Sequence, residues 1–342
     1  MELVFLGTSA AIPTVRRNVT SVYVQMTHES LLVDAGEGTQ MQILRAGVRR
    51  GRIDRILVTH LHGDHFFGLI GLLNSYQLGK REEPLQILGP PGLESYVGFM
   101  KRLCQTEFTY PLTITELPGI STPTTVLETP DYTVTAAPLR HRLYTLGYRI
   151  RERDRPGRFD ADKADALGVP FGPERGALTR GESITLADGR LLEAAEVVGE
   201  SRPGRSITVC TDTARCEMSV ELARGSEVLV HEATFEQGDR VHARRTQHST
   251  SGDAARVARD AGVGHLFLTH ISSRYMADTS PLMRGVKEIF AASTLSRDFM
   301  RVELPLDPGP LKIGDCRSNE APASSPVGGK APQPGTETSN PA

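Results

Sequence analysis

The sequence predicts an α/β fold in which sheets are layered against helices. Short apolar, β-branched runs alternate with helix-length segments, without the regular strand–helix–strand rhythm of an all-parallel sheet. Several of these runs also stop at a histidine or aspartate, as in Thr59-His60, Thr211-Asp212, Val230-His231 and Thr269-His270. Strand ends on one rim of a layered fold converge on a common site.

Leu3 to Leu6, Val19 to Met26 and Ser30 to Val33 read as the antiparallel start of a sheet. Asp34 to Thr39 closes the third strand and opens a helix through Ala46, with Asp34 either orienting a neighbouring histidine or capping the helix. Ile53 to Val58 is a strand and Phe66 to Tyr76 a helix. Leu85 to Leu88, the helix Leu93 to Leu103, and the strands Leu112 to Leu117 and Tyr132 to Ala137 follow. Arg149 to Arg205, crowded with Arg, Asp, Gly and Pro, is too poor in apolar residues for a domain core. It reads as an excursion with short strands around the Asp188-Gly189 turn. Ser206 to Cys210, Glu227 to Val230, His265 to Leu268 and Phe299 to Leu304 resume the sheet, with helices at Ser251 to Ala261 and Pro281 to Phe290. A catalytic domain over 1–305 is therefore expected, with an arm at about 150–200 and a disordered Pro/Gly/Ser-rich tail at 306–342.

Composition excludes some function classes. Lys plus Arg is 39 against 41 for Asp plus Glu, a formal net charge of −2, so any nucleic-acid contact must come from local patches. Four scattered cysteines without a C-x-x-C pair suit reduced cytoplasmic thiols. Neither an export signal nor a run of membrane-spanning length is visible, so a cytoplasmic protein without membrane association is expected.

The chemistry centres on His60, His62, Asp64 and His65, within the run LVTHLHGDHFFGL. A lone histidine in a turn is more often merely solvated. Three imidazoles and a carboxylate packed this closely at a strand end are a poor core and a good ligand set for zinc. Their offsets separate His60 and His62, leaving the strand, from Asp64 and His65, opening a helix. His141, Asp212, His231 and His270 are further candidates. His141 would complete the first pair and His270 the second, while Asp212 can offer one oxygen to each of two ions.

The pattern resembles the metallo-β-lactamase superfamily, and within it the bacterial ribonuclease Z family. The matching stretches are MELVFLGTSAAIPTVRRNVTS, VDAGEGTQ, VTHLHGDHFFGLIGLL, LGYR after His141, Gly172-Pro173, SITVCTDT, LVHEATF, His248-Ser249-Thr250 and LTHISSRY. The superfamily turn alone leaves lactamases, glyoxalases and other nucleases open; HEAT, HST and THISSRY narrow it. The resemblance implies an αββα sandwich of two sheets with helices outside, and a protruding arm that clamps tRNA. It also implies a homodimer and endonucleolytic removal of the 3′ trailer from precursor tRNA. It implies two Zn²⁺ (Mn²⁺ or another divalent ion being admissible), one on His60, His62 and His141, the other on Asp64, His65 and His270, bridged by Asp212. Asp64 would accept a proton from water, and His248, oriented by Glu232, would protonate the leaving oxygen. The early Pro-x-Lys-x-Arg-Asn element, tied to treatment of a 3′ CCA end, has Val15 in place of its lysine. Arg49, Arg50, Arg52, Arg55, Arg244 and Arg245 are candidate phosphate contacts. A hydrolase of small esters, thioesters or cyclic phosphodiesters remains as a rival, as does an RNA-binding scaffold on a degenerate hydrolase fold.

Overall fold

The computed structural model describes residues 1–307 and 309–316. Among these residues two mixed sheets lie face to face with helices on both outer surfaces. The first runs, in spatial order, Lys312–Asp315, Met300–Glu303, Glu2–Gly7, Ser21–Gln25, Ser30–Val33, Ile53–Leu57, Leu85–Gly89 and Leu112–Glu116. The second runs Ser293–Leu295, His265–Thr269, Val228–Glu232, Ser206–Cys210, Thr145–Glu152, Tyr132–Leu139 and Thr124–Glu128.

The layering follows from side-chain alternation along buried strands. Leu3 and Phe5 point between the sheets and meet Tyr148, Val209 and Phe267, whereas Val4 and Leu6 point outward onto Ile43, Leu69 and Leu72 of the helices. Phe5 and Phe267 join the sheets with ring centroids 5.6 Å apart. On the far side Cys210, Leu229, Leu266 and Leu268 receive Leu222, Ala254 and Ala258. No helix among the described residues is long and apolar enough to cross a membrane.

Three local differences from expectation have physical causes. Thr145–Glu152 is a central strand, although its second half (Tyr-Arg-Ile-Arg-Glu) is charged enough to read as the start of the excursion. Leu146, Tyr148 and Ile150 fill the core while alternate arginines face outward, and packing decides the outcome. Helix 281–290 is split into Ser280–Met283 and Val286–Ile289 by Gly285, at φ 70°. Lys312–Asp315, within the stretch expected to be disordered, pairs antiparallel with Met300–Glu303; the tail from 317 onward lies outside the described residues.

The excursion begins after Glu152 and ends before Ser206. Its feet are tied by bridges between Arg155 and Arg202 and between Phe159 and Val198. Gly157 is required there, since a Cβ would sit 1.9 Å from the Gly199 carbonyl oxygen. The segment owns a small cluster of buried residues, Ala164, Val169, Leu178, Leu186, Leu192 and Val197. Phe171, before Gly172-Pro173, is 93% exposed.

Two separate clusters predict two separable responses. Phe267→Ala should lower the unfolding free energy by about 3–5 kcal/mol in denaturant titration. Leu178→Ala should leave that global transition in place and instead speed limited proteolysis between 155 and 202.

Candidate metal centre

Ile53–Leu57 runs parallel between Ser30–Val33 and Leu85–Gly89, and its chain continues past the sheet edge as Val58, Thr59 and His60. Asp34, just beyond Ser30–Val33, adopts φ 61° and turns its carboxylate beneath that turn. Its Oδ1 accepts the Thr59 amide at 2.7 Å. Its Oδ2 accepts the Thr59 hydroxyl at 2.8 Å and the His65 Nδ1–H at 2.7 Å. The helix Thr39–Ala46 takes no side-chain cap, so Asp34 orients His65 and does not cap. Asp34, Asp212 and His270 are all non-glycine residues in the left-handed region, at φ 61°, 47° and 57°; such backbone strain gathers at sites that need it.

The structure brings His60, His62, His141 and Asp212 together with one ligand atom each inside 4.8 Å, and Asp64, His65 and His270 likewise. Asp212 faces both groups. Its Oδ2 lies 3.5 Å from His60 Nε2 and 3.8 Å from His141 Nε2, and its Oδ1 lies 3.1 Å from His65 Nε2 and 3.0 Å from His270 Nε2. That Oδ1 is buried and has no hydrogen-bond partner among the described residues, an arrangement that costs free energy unless a cation sits against it. Four of the five imidazoles are fixed through their other nitrogen, as metal-binding histidines are. His65 is held by Asp34, His141 donates from Nδ1 to the Gln247 carbonyl at 3.0 Å, His60 Nδ1 meets the Thr59 hydroxyl at 3.1 Å, and His270 Nδ1 meets the Thr234 hydroxyl at 2.9 Å. By its residues the site fits two divalent cations.

The two groups differ electrostatically. Burial, with neighbouring imidazoles, lowers the pKa of His60 and takes His62 to about 4, and burial lowers that of His141, so all three present lone pairs at neutral pH. Burial also opposes charge on His65 and His270, yet the Asp212 carboxylate outweighs it and raises both, His270 to about 10. Asp64 and Asp212 are pulled down by those imidazoles despite their burial. Protons and cations therefore compete at the second group and hardly at the first.

Beside these ligands, the fully buried Glu232 accepts from the Thr213 amide at 2.7 Å and from His248 Nδ1–H at 2.8 Å through Oε1. Its Oε2 accepts the Thr234 hydroxyl at 2.6 Å. His248 stacks on His270 at 5.5 Å, and Thr250 caps the helix Ser251–Ala261 with a reciprocal bond to Asp253. His231 does not join them: it turns into the interior, Nδ1–H on the Glu232 carbonyl at 2.8 Å and Nε2 buried without a partner among the described residues. Arg49, Arg50 and Arg52 precede the strand Ile53–Leu57, at the end opposite the histidines, and Arg55, midway along it, pairs with Glu29. Arg245 turns towards His242.

Sequence reasoning missed several contributors. The Ala11 amide donates to Asp64 Oδ2 at 2.8 Å from a left-handed residue, an interaction with no side-chain signature. Thr234 and Gln247 act through a hydroxyl and a carbonyl. The first was within reach, since HEAT places it two residues after Glu232. Nearby, Arg17 anchors the Pro13 to Asn18 loop on the Ser296 carbonyl, while Val15 is fully exposed at its tip.

Comparison with known proteins agrees with this geometry. Residues 14–221 match the family model described as the metallo-beta-lactamase superfamily. The ribonuclease Z of Cyanothece sp. is 46% identical over 312 residues, covering 89% of this chain and 96% of that protein. That of Acaryochloris marina is 45% identical over 312 residues, with 89% and 98% covered. The crystal structure of the short form of human tRNase Z superposes with a TM-score of 0.66 at 27% identity, covering 90% of this chain and all of that one. With near-complete coverage at this identity, and HEAT, HST and THISSRY lying where the two ligand groups meet, the chain belongs to the ribonuclease Z family of the metallo-β-lactamase superfamily.

Proposed function

We propose that the chain is a zinc-dependent endoribonuclease that removes the 3′ trailer of precursor tRNA, leaving a 3′-hydroxyl on the tRNA and a 5′-phosphate on the trailer. The observation that carries this is the carboxylate of Asp212 shared by two ligand groups, with the Glu232–His248 pair beside them. The imidazole-rich first group favours zinc over manganese. Precursor tRNA as substrate supports the reading of a cytoplasmic protein. A homodimer is consistent with Met41 and Leu44, 52% and 49% exposed on one face of the helix Thr39–Ala46.

Two bound cations would acidify a water and neutralise the phosphoryl oxygens. The protein's own residues do the rest. Asp64 stays ionised and, held by the Ala11 amide, is the acceptor we assign for the proton of the attacking water. His248 is the proton donor to the leaving 3′ oxygen. Burial disfavours its charged form, but the adjacent Glu232 carboxylate outweighs burial and raises its pKa, which favours the protonated form a donor needs. With Nδ1 bound to Glu232, Nε2 is free to donate. The excursion contributes remote binding of the tRNA through its exposed outer end, including Phe171.

Three outcomes test this reading. Metal-stripped protein should take up two ions per chain, with protons released at the second, measured by calorimetric titration in buffers of different ionisation heat. Because the pKa values of His65 and His270 are raised, affinity at the second position should climb as pH rises through the neutral range. A single ion in fully active protein would reject the shared site.

His248→Ala should keep both metals and lose about 10²–10⁴ in kcat on precursor tRNA, with a smaller loss on bis(p-nitrophenyl) phosphate, whose leaving group needs no proton. Equal losses on both substrates, or loss of metal, would make His248 a positioning group or a ligand, a role its proximity to Asp212 and His270 also permits.

Because Thr145–Glu152 is core, the arm deletion must spare it. Arg155 and Arg202 face each other, so 156–201 can be replaced by a two-residue Asn-Gly turn. The resulting protein should bind metal normally and show a steeply raised KM for precursor tRNA.

A further inference from the structure

Two grooves meet at His248. One, of about 680 Å³, passes over Asp64 and Asp212 and is walled by Ile12, Pro13 and Phe67. The other, of about 1000 Å³, leads away between the helices Glu217–Ala223 and Arg240–Thr246. Positions 240, 243, 244 and 247 all line this second groove, the spacing of a single helix face. That face therefore presents Arg240 and Arg244 one turn apart, both exposed, with Arg140 on the opposite rim. None of these three makes an ion pair among the described residues, whereas Arg215 and Arg256 of the same groove are held by Asp260 and Asp253 at 2.7 and 3.2 Å. Glu217 and Glu221 add negative charge on the wall formed by the other helix. The groove's six arginines outnumber its four carboxylates, so in a chain of net charge −2 it forms a locally basic track for a polyanion beside His248.

The chemistry gives that track a direction. In-line displacement places the leaving oxygen opposite the attacking water, and the donor must stand at the leaving oxygen. Cleavage that leaves a 3′-hydroxyl on the tRNA makes this oxygen the last atom of the tRNA body. We propose that the arginine groove seats the tRNA side of the scissile bond, with acceptor-strand phosphates on Arg140, Arg240 and Arg244. The apolar groove at Ile12, Pro13 and Phe67 then takes the first trailer nucleotides, and exposed Phe67 offers a face for base stacking. This assignment rests on His248 being the donor.

The test compares mature tRNA without a trailer with precursors carrying trailers from one nucleotide to about ten. Arg240→Ala/Arg244→Ala, and separately Arg140→Ala, are checked for unchanged metal content to exclude misfolding. Each lost phosphate contact should weaken binding of mature tRNA and reduce the slope of log affinity against log salt by about 1. KM for the precursors should rise by one common factor, about tenfold for the double variant, whatever the trailer length. A penalty that grows with trailer length while mature-tRNA binding is unchanged would reverse the polarity. No change in binding, KM or salt slope would remove the groove from RNA recognition. Wild-type protein cleaving the same precursors separates either failure from failure of the functional reading itself.

Discussion

The site depends on one buried carboxylate placed where a carboxylate alone would be costly. Asp212 is 2% exposed, sits in the left-handed region and turns an unpartnered oxygen toward two imidazoles. Such a group is tolerable only if positive charge surrounds it. Raised proton affinity on His65 and His270 supplies part of that charge, and divalent cations can supply it in full. The strand ends at Cys210 and Thr269, the Asp34 bracket under Thr59, and the Glu232 bond to the Thr213 amide all serve to hold this carboxylate and its imidazoles in place.

Glu232 links His248 to the candidate ligand groups. One oxygen touches both His248 and the residue following Asp212; the other accepts the Thr234 hydroxyl, whose oxygen also meets His270 Nδ1. A change at Glu232 therefore reaches His248 directly and His270 through one intervening hydroxyl. This coupling explains why residues separated widely in sequence occupy one compact network, and why their individual losses should not add.

Much of this was legible in the sequence for a specific reason. Residues His60 to His65 follow an apolar strand in six consecutive positions, and the later candidates repeat the same strand-end position, so the rule that strand ends converge could be applied directly. It failed for His231, which also ends an apolar run but belongs to the alternation of a strand that continues through Glu232; its side chain points inward. Arg49, Arg50 and Arg52 lie at the opposite end of the strand from the histidines, because direction along a strand decides which end faces the site. Arg149 to Glu152, the end of the strand Thr145–Glu152, reads as excursion because its local charge masks its period of two. Ala11 and Gln247 could not be found, since a backbone amide and carbonyl carry no side-chain identity. The arginine face at 240, 243, 244 and 247 has helical spacing, but only the fold places it beside His248.

The account stands on cleavage chemistry at one phosphodiester. The most direct measurement is incubation of metal-loaded protein with 3′-extended precursor tRNA, followed by mapping of both new ends. The account predicts a single endonucleolytic cut giving an intact trailer with a 5′-phosphate and a tRNA with a 3′-hydroxyl, abolished by chelation and restored by zinc. A ladder of shortened trailers, the opposite end chemistry, or turnover of small phosphodiesters with precursor tRNA left intact would contradict it.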